Sequence, residues 1–136
     1  MTDGSVTDAQ KWDRIHSTHD AAPARAAVVL SQNQHLLPFA GDALDLACGR
    51  GANALLLAAR GLRTSAWDIS AVALATLRQA AADAGYLITT DCRDVSVNPP
   101  TPATQDVIAV SHFLDRALAP HLIAALRPGG LLFYQT

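Results

Sequence analysis

The sequence predicts an α/β protein built on a doubly wound, mainly parallel sheet of five strands. Short apolar runs alternate with longer stretches rich in Ala and Leu, which is the rhythm of strands joined by crossover helices. A glycine-rich turn follows the first central apolar run, and Asp68 follows the next one. Because open parallel sheets bind ligands at the carboxyl ends of their strands, the same pattern predicts a ligand site at that edge.

Composition narrows the function classes. The chain has 136 residues, half of them hydrophobic, and a formal net charge of −2, so one folded domain is expected. Lys and Arg form no cluster that could follow a phosphate backbone, and no apolar run reaches the roughly 18 residues of a membrane span. The polar, acidic amino terminus is unlike a signal peptide. We therefore expect a cytoplasmic protein without nucleic-acid or membrane partners.

Residues 1–20 are predicted to form a mobile segment that can cover the site, with Trp12 and Ile15 as apolar anchors. His16 and His19 have a spacing that two metal ligands on one helical face could use, but no carboxylate or third histidine accompanies them. Two solvated histidines are the favoured interpretation, and no metal is predicted.

The folded domain is predicted to cover residues 21–136. Its first element is a helix over residues 21–34, which Asp20 can cap and in which Pro23 is tolerated in the first turn. The apolar stripe of this helix fades towards its end, so we expect it to pack on the outside of the sheet.

A strand, a glycine turn and a helix follow at the centre of the chain. The apolar run at residues 43–47 predicts a strand that is covered on both faces. Gly49 and Gly51 then remove side chains where the backbone must turn sharply and a ligand must come close. Residues 53–59 favour helix, and Gly61 is placed to end it.

The next strand, residues 62–67, leads into Asp68. A right-handed crossover places Asp68 beside the glycine turn at the carboxyl ends of the strands. A carboxylate there can accept hydrogen bonds from two adjacent ribose hydroxyls. The expected ligand therefore contains a nucleoside.

The rest of the chain continues the alternation. The Pro-rich stretch at residues 98–103 cannot be a regular helix, whereas Ser70 is a good helix cap. The predicted elements are a helix at 71–84 ending at Gly85, strands at 86–90, 106–111 and 131–134, and a helix at 118–126 ending in the turn 127–130.

Three spaced motifs carry a resemblance to a known family. They are DLACGRG at residues 45–51, AWDIS at residues 66–70 and LRPGGLLFY at residues 126–134. Together they resemble class I S-adenosylmethionine-dependent methyltransferases, over about residues 36–136. The WD pair near the amino terminus and SHFLDR after the fourth strand are most similar to small-molecule enzymes related to tellurite-resistance methyltransferases.

The resemblance implies a Rossmann-like sheet and an S-adenosyl-L-methionine cofactor. It places Asp45 near the methionine portion, Asp68 on the ribose hydroxyls and Ile69 against the adenine. It also places Asp94, with the Val95 backbone, at the adenine amino group, a role for which Asp91 is a rival. The remaining cofactor-binding positions are Ala47, Gly49, Gly51, Asn53 and Ser111.

The same resemblance bears on the methyl acceptor, expected to be a small molecule such as a thiol or a selenium or tellurium oxyanion. Trp12 and Phe113 are predicted to face the acceptor, and His112 is the only candidate base near the expected site. A histidine with no proton to move is an equally good interpretation of His112.

The family has seven strands, so the resemblance implies a chain that lacks the sixth and seventh. The fifth strand would then be an exposed apolar edge, which invites pairing with another chain. A homodimer through this strand is expected, and a non-catalytic, dimerising remnant of the cofactor domain is one alternative function.

A second alternative is an NAD(P)-binding oxidoreductase domain, because residues 49–54 also satisfy the GxGxxG/A pattern and Asp68 can serve as its ribose acid. Asp45 argues against this, since a buried carboxylate so close to the turn would repel a pyrophosphate. A cationic sulfonium ligand tolerates such a neighbour.

Overall fold

The computed structural model describes residues 8–18 and 25–136. Its centre is a five-stranded sheet in the order β3-β2-β1-β4-β5, and every neighbouring pair is parallel. The predicted α/β fold with a parallel five-stranded sheet is confirmed. The strands are β1 Asp42–Leu46, β2 Arg63–Asp68, β3 Ile88–Cys92, β4 Gln105–Ser111 and β5 Leu126–Gln135.

Helices connect most of the strands. The connection between β3 and β4 is irregular and contains the predicted Pro-rich stretch, and short 3-10 turns lie at Gln34–Leu36 and Arg116–Leu118. The helices are α1 Asp8–Thr18, α2 Val28–Ser31, α3 Ala52–Ala59, α4 Ala71–Ala84 and α5 Ala119–Ala125.

Alternate residues of β1 enter different cores, which shows that helices cover both faces of the sheet. Ala43 packs in a cluster with Leu57 of α3, whereas Leu44 packs in a second cluster with Leu122 of α5. Leu77 of α4 joins α3 in a third cluster. This two-sided cover is the doubly wound arrangement, and it leaves the carboxyl ends of the strands free to form a site.

Helix α4 follows its sequence signals closely. The Ser70 Oγ accepts a hydrogen bond from the Ala73 N–H at 3.1 Å, and Gly85 ends the helix with a φ of +79°. Ser70 and Gly85 are strong sequence signals because residues at these positions help to satisfy the backbone N–H and C=O groups that have no partner at the ends of a helix.

The helix predicted over residues 21–34 is wrong in its extent, since α2 is only one turn long. Ala27 has an extended backbone (ψ 141°), and its N–H donates to the Asn53 Oδ1 at 2.8 Å. A tertiary hydrogen bond thus fixes the chain outside the helix just before α2. The predicted cap, Asp20, lies outside the described residues.

Helix α1 occupies part of the segment predicted to be mobile and packs against α4. The side chains of Ile15 and His16, and the whole of His19, lie outside what the structure describes. No helix in the described ranges 8–18 and 25–136 is long and apolar enough to cross a membrane.

The helix before the last strand ends earlier than predicted. α5 stops at Ala125, and β5 begins at Leu126, which pairs with Gln105 of β4. A register shift follows in this pairing. Residues 127–130, which were predicted to form a turn, therefore lie within the strand. In the described part of the chain β5 pairs with β4 alone; the homodimer through this strand stays a prediction.

Candidate functional site

A cavity of about 870 Å³ lies at the carboxyl ends of the strands. With the exception of Asp45, all the predicted site residues line it. These are Trp12, Ala47, Gly49, Gly51, Asn53, Asp68, Ile69, Asp94, Val95, Ser111, His112 and Phe113.

The loop after β1 has a positive φ at every second residue. Ala47, Gly49 and Gly51 have φ values of +57°, +54° and +80°. Glycine adopts this conformation without strain, whereas alanine does so at some energetic cost. Ala47 is therefore a locally strained residue in the wall of the cavity, held by the surrounding loop.

The Asp68 carboxylate is fixed by two backbone groups. Its Oδ1 accepts a hydrogen bond from the Gly49 N–H at 3.0 Å, and its Oδ2 accepts one from the Ser70 N–H at 2.9 Å. The residue is 8% exposed and lines the cavity. Because each carboxylate oxygen can accept a further hydrogen bond, this arrangement is prepared to bind a pair of hydroxyl groups.

The structure separates the two acidic residues that follow β3. Asp94 lines the cavity, where its Oδ1 accepts hydrogen bonds from the Ser96 N–H at 3.0 Å and the Ser96 hydroxyl at 2.5 Å. Asp91 is not among the lining residues and forms an ion pair with Arg93. The Arg93 guanidinium lies 3.7 Å from the centre of the Trp67 ring. Of these two residues, Asp94 is the one that lines the cavity, and its contact with an adenine amino group stays a prediction.

Asn53 ties three segments together beneath the cavity. It is 4% exposed, and its Nδ2 donates to the Ser111 Oγ at 3.0 Å while its Oδ1 accepts from the Ala27 N–H. Both polar atoms of the Asn53 amide thus bond to other residues of the chain, and the bond to Ser111 positions its hydroxyl at the end of β4.

Two hydrogen bonds with β5 fix the segment that follows β4 and lines the cavity. The His112 N–H donates to the Gln135 carbonyl oxygen at 2.8 Å, and the Tyr134 hydroxyl donates to the Phe113 carbonyl oxygen at 2.7 Å. His112 has a φ of +56°, which is uncommon for a residue other than glycine. A fixed but strained backbone thus presents the His112 side chain at the cavity.

Asp45 is completely buried and is not among the residues that line the cavity. Its Oδ2 accepts a hydrogen bond from the Ala54 N–H at 2.9 Å, in the first turn of α3. Gly51, the residue before α3, provides no side-chain cap, so Asp45 performs that task from the neighbouring strand. Asp45 thus supports the loop from below, and its place near the methionine portion of a cofactor stays a prediction.

Burial also changes the acid–base chemistry of two residues here. Desolvation raises the pKa of Asp45 well above its usual range, and the nearby Asp68 charge adds to this. Desolvation likewise raises the pKa of the Cys48 thiol far above its usual range. Since the thiolate is the nucleophilic form, this shift disfavours Cys48 as a nucleophile.

Several lining residues were not predicted. They include Arg50 and Arg93, each next to a residue that was singled out, Arg25, which was predicted to lie in a helix, and Asp115, which belongs to the SHFLDR motif. Proximity to a motif was the only available signal. Within the described residues, no three His, Cys, Asp or Glu side chains are grouped to hold a metal ion.

A family model described as a methyltransferase domain matches residues 43–130, more than half of the chain. The chain belongs to this methyltransferase-domain family. The match covers the glycine loop, Asp68 and Ser111, which are parts of the cavity wall. Membership in this family argues against the alternative interpretation of the chain as an NAD(P)-binding oxidoreductase domain. A search of curated proteins found no match.

Solved structures share the fold of this methyltransferase domain. One is described as a proposed S-adenosyl-L-methionine-dependent methyltransferase from Methanococcus maripaludis (21% identity, TM-score 0.73, 98% of this chain and 66% of that chain). Another is a Geobacter sulfurreducens methyltransferase in complex with S-adenosyl-L-homocysteine (21%, 0.72, 88% and 53%). TehB from Haemophilus influenzae is a third (24%, 0.62, 85% and 40%). This chain therefore spans less than two thirds of each of these relatives.

Proposed function

We propose that this chain binds S-adenosyl-L-methionine and transfers its methyl group to a small-molecule acceptor. The observation that carries the proposal is the Asp68 carboxylate, which two backbone N–H groups hold at the wall of a cavity formed by a methyltransferase domain. The complex of the Geobacter sulfurreducens relative with S-adenosyl-L-homocysteine supports the choice of cofactor.

The residues present fit this cofactor. The cavity of about 870 Å³ lies within the usual size range of ligand sites, roughly 300–1,000 Å³. Asp68 would hold the ribose hydroxyls, and Asp94 with Ile69 would hold the adenine. The loop at Gly49 and the Ser111 hydroxyl would hold the methionine portion.

When bound, the cofactor supplies an electrophilic methyl carbon next to a sulfonium. The chain itself contributes position and exclusion of water, because such a transfer needs mainly alignment of the acceptor. Trp12 and Phe113 provide apolar wall, and the hydrogen bond from Tyr134 fixes the segment that carries Phe113.

For the acceptor, we propose a thiol or a reduced selenium or tellurium oxyanion. Such nucleophiles need little help from a base, and His112 is the candidate base that the sequence indicates at this cavity. Asp115 accepts a hydrogen bond from the Ala117 N–H, and Cys48 is held protonated. The free cysteines Cys48 and Cys92 suit a reducing cytoplasm, which we propose as the location.

Titration of S-adenosyl-L-homocysteine by calorimetry tests the cofactor assignment. We expect Asp68→Ala to weaken binding by about 30-fold or more, because each lost hydrogen bond to a charged group is worth roughly 1.5–3 kcal/mol and 1.4 kcal/mol is tenfold. Asp83→Ala is the matched control. It removes the same charge from an exposed position on α4, where the partner of Asp83 is Gln79, and should keep the affinity within about threefold.

Equal affinities of wild type and Asp68→Ala would remove the ribose assignment. Binding of NAD(H) without binding of S-adenosyl-L-homocysteine by the wild type would overturn the proposed function as a whole.

A second prediction concerns His112. If the acceptor needs no base, His112→Asn should retain turnover of a thiol acceptor within about tenfold, because the loss of a general base costs about 10²–10⁴-fold. Asn and Gly both tolerate the left-handed backbone that His112 adopts, so His112→Gly serves as a second variant free of new strain. Radiolabelled methyl transfer measures both. A loss greater than 100-fold in both variants would show that His112 acts as a base even for the thiol, and the prediction of an acceptor that needs no base would be wrong.

A further inference from the structure

Two adjacent residues of helix α1 make different contacts with the domain. Trp12 lines the cavity and is 39% exposed. Asp13 points to the start of α4, where its Oδ1 accepts hydrogen bonds from the Ser70 hydroxyl and, at 3.2 Å, from the Val72 N–H. One side chain of α1 thus forms wall while the next one fastens the helix to the domain.

The position of Asp13 is electrostatically favourable. Val72 lies in the first turn of α4, a helix of 14 residues, whose open N–H groups and dipole attract a carboxylate. Ser70 is completely buried, and its Oγ also accepts from the Ala73 N–H. The hydroxyl therefore donates to Asp13 and accepts from α4, which satisfies a buried polar group on both sides.

The same serine connects α1 to the nucleoside site. Its N–H donates to Asp68, and Asp68 in turn accepts from the Gly49 N–H of the glycine loop. A continuous series of hydrogen bonds thus runs from Asp13 through Ser70 and Asp68 to the loop.

We propose that Asp13 is a positioning residue that docks α1, and with it Trp12, on the cofactor cavity, and that docking and cofactor binding stabilise each other. This rests on the proposed function, because Asp68 is its ribose-binding residue. Coupling between two sites is reciprocal, so a cofactor that fixes Asp68 and Ser70 also fixes the partner of Asp13.

Hydrogen exchange of the full chain, followed by mass spectrometry of peptides from residues 8–18, tests the docking. In the absence of ligand, Asp13→Ala should raise the exchange of this helix by about tenfold. Ala favours helix more than Asp does, so faster exchange cannot come from a weaker intrinsic preference. Asp13→Asn keeps an acceptor oxygen without the charge and should fall between the two. Asp83→Ala removes a carboxylate whose partner is Gln79 in the last part of α4 and should leave the exchange of α1 unchanged.

The coupling is tested by adding S-adenosyl-L-homocysteine. It should protect residues 8–18 in the wild type and in Asp83→Ala, but not in Asp13→Ala, whose affinity should be about tenfold lower. A double-mutant cycle with Ser70→Ala separates this contact from the cap of α4, since both Ser70→Ala variants lack the cap. The two changes together should weaken binding less than the product of their separate effects.

The outcomes divide the two proposals. If the wild type binds S-adenosyl-L-homocysteine and α1 exchanges equally in wild type and Asp13→Ala, the role of Asp13 is wrong and the proposed function stands. If exchange rises in Asp13→Ala but affinity and protection are unchanged, the coupling is wrong. If the wild type does not bind the ligand, the proposed function falls and the coupling with it.

Discussion

Gly51→Ala should destabilise the fold by about 2–5 kcal/mol, because it combines two unfavourable effects. The residue has a φ of +80°, a conformation that costs an alanine roughly 1–2 kcal/mol. A Cβ there would also lie 2.4 Å from Leu77 Cδ1 and 2.5 Å from Cδ2. Leu77 is completely buried, and overpacking of such a core position typically costs about 1–3 kcal/mol.

The chain offers a matched control in Gly85. Its φ is +79°, and a Cβ there would meet nothing within 4 Å. Gly85→Ala therefore has the backbone strain without the steric clash and should lose only about 1–2 kcal/mol. Urea unfolding measures both variants. The difference between the two losses isolates the contact with Leu77.

A third variant confirms the source of that difference. In a Leu77→Ala background the space next to residue 51 is open, so Gly51→Ala should cost about as much as Gly85→Ala does in the wild type. Equal losses for Gly51→Ala and Gly85→Ala in the wild type would show that Leu77 moves aside freely, and that backbone conformation alone requires the glycine.

This result would change the role given to Gly51 by its motif. The sequence indicates a glycine that lets a ligand approach the backbone. The structure shows in addition that the missing side chain lets α4 pack close to the start of α3 through Leu77. The same position thus sets the distance between a helix and the cavity wall.

The sequence predicted those features that local signals determine. Helix α4 begins after Ser70 and ends at Gly85 as expected, because both signals satisfy backbone groups within a few residues. The cavity wall after β1 and β2 was predicted for a similar reason. In a parallel sheet the carboxyl ends of strands meet at one edge, so Asp68 must come near the glycine loop.

The features that the sequence did not predict depend on contacts between distant residues. The helix expected before β1 is shortened by a bond from Ala27 to Asn53, which lies 26 residues away. Asp13 meets Ser70 across 57 residues. No local pattern reports such a pairing. Asp45 was recognised as unusual, but a strand periodicity cannot tell whether its carboxylate faces a ligand or the N–H groups of a helix behind the loop.

The stability of the chain should depend on pH through Asp45. Burial raises the pKa of its carboxyl in the folded state, so folding favours the protonated form. The stabilisation is therefore complete below the unfolded pKa of about 3.8 and is lost as the pH rises from there through the folded pKa.

Asp42 acts in the opposite direction. Its hydrogen bonds with Arg63 and Arg127 lower its pKa, so its contribution changes only below about pH 3.8.

Asp45→Asn removes the ionisable group and keeps an oxygen that can accept from the Ala54 N–H. We expect it to be more stable than the wild type at pH 8 by about 1–3 kcal/mol, the typical penalty of a buried, poorly satisfied polar group, or very roughly 3–10 °C in melting temperature. The difference should shrink as the pH falls towards 4. Asp83 is an exposed carboxylate on α4. Asp83→Asn should therefore have the same stability as the wild type at both pH values. A wild type at least as stable as Asp45→Asn at pH 8 would contradict the prediction.

The same variant decides what Asp45 does for the site. A carboxylate that contacts the cofactor directly must be charged to attract an ammonium group, so its loss would weaken S-adenosyl-L-homocysteine binding by more than tenfold. A carboxyl that caps α3 beneath the loop needs only an acceptor oxygen, which asparagine provides. Since Asp45 is completely buried and does not line the cavity, we expect Asp45→Asn to bind within about threefold of the wild type. Asp45→Ala, which has no acceptor for the Ala54 N–H, should lose both stability and affinity because the loop loses its support.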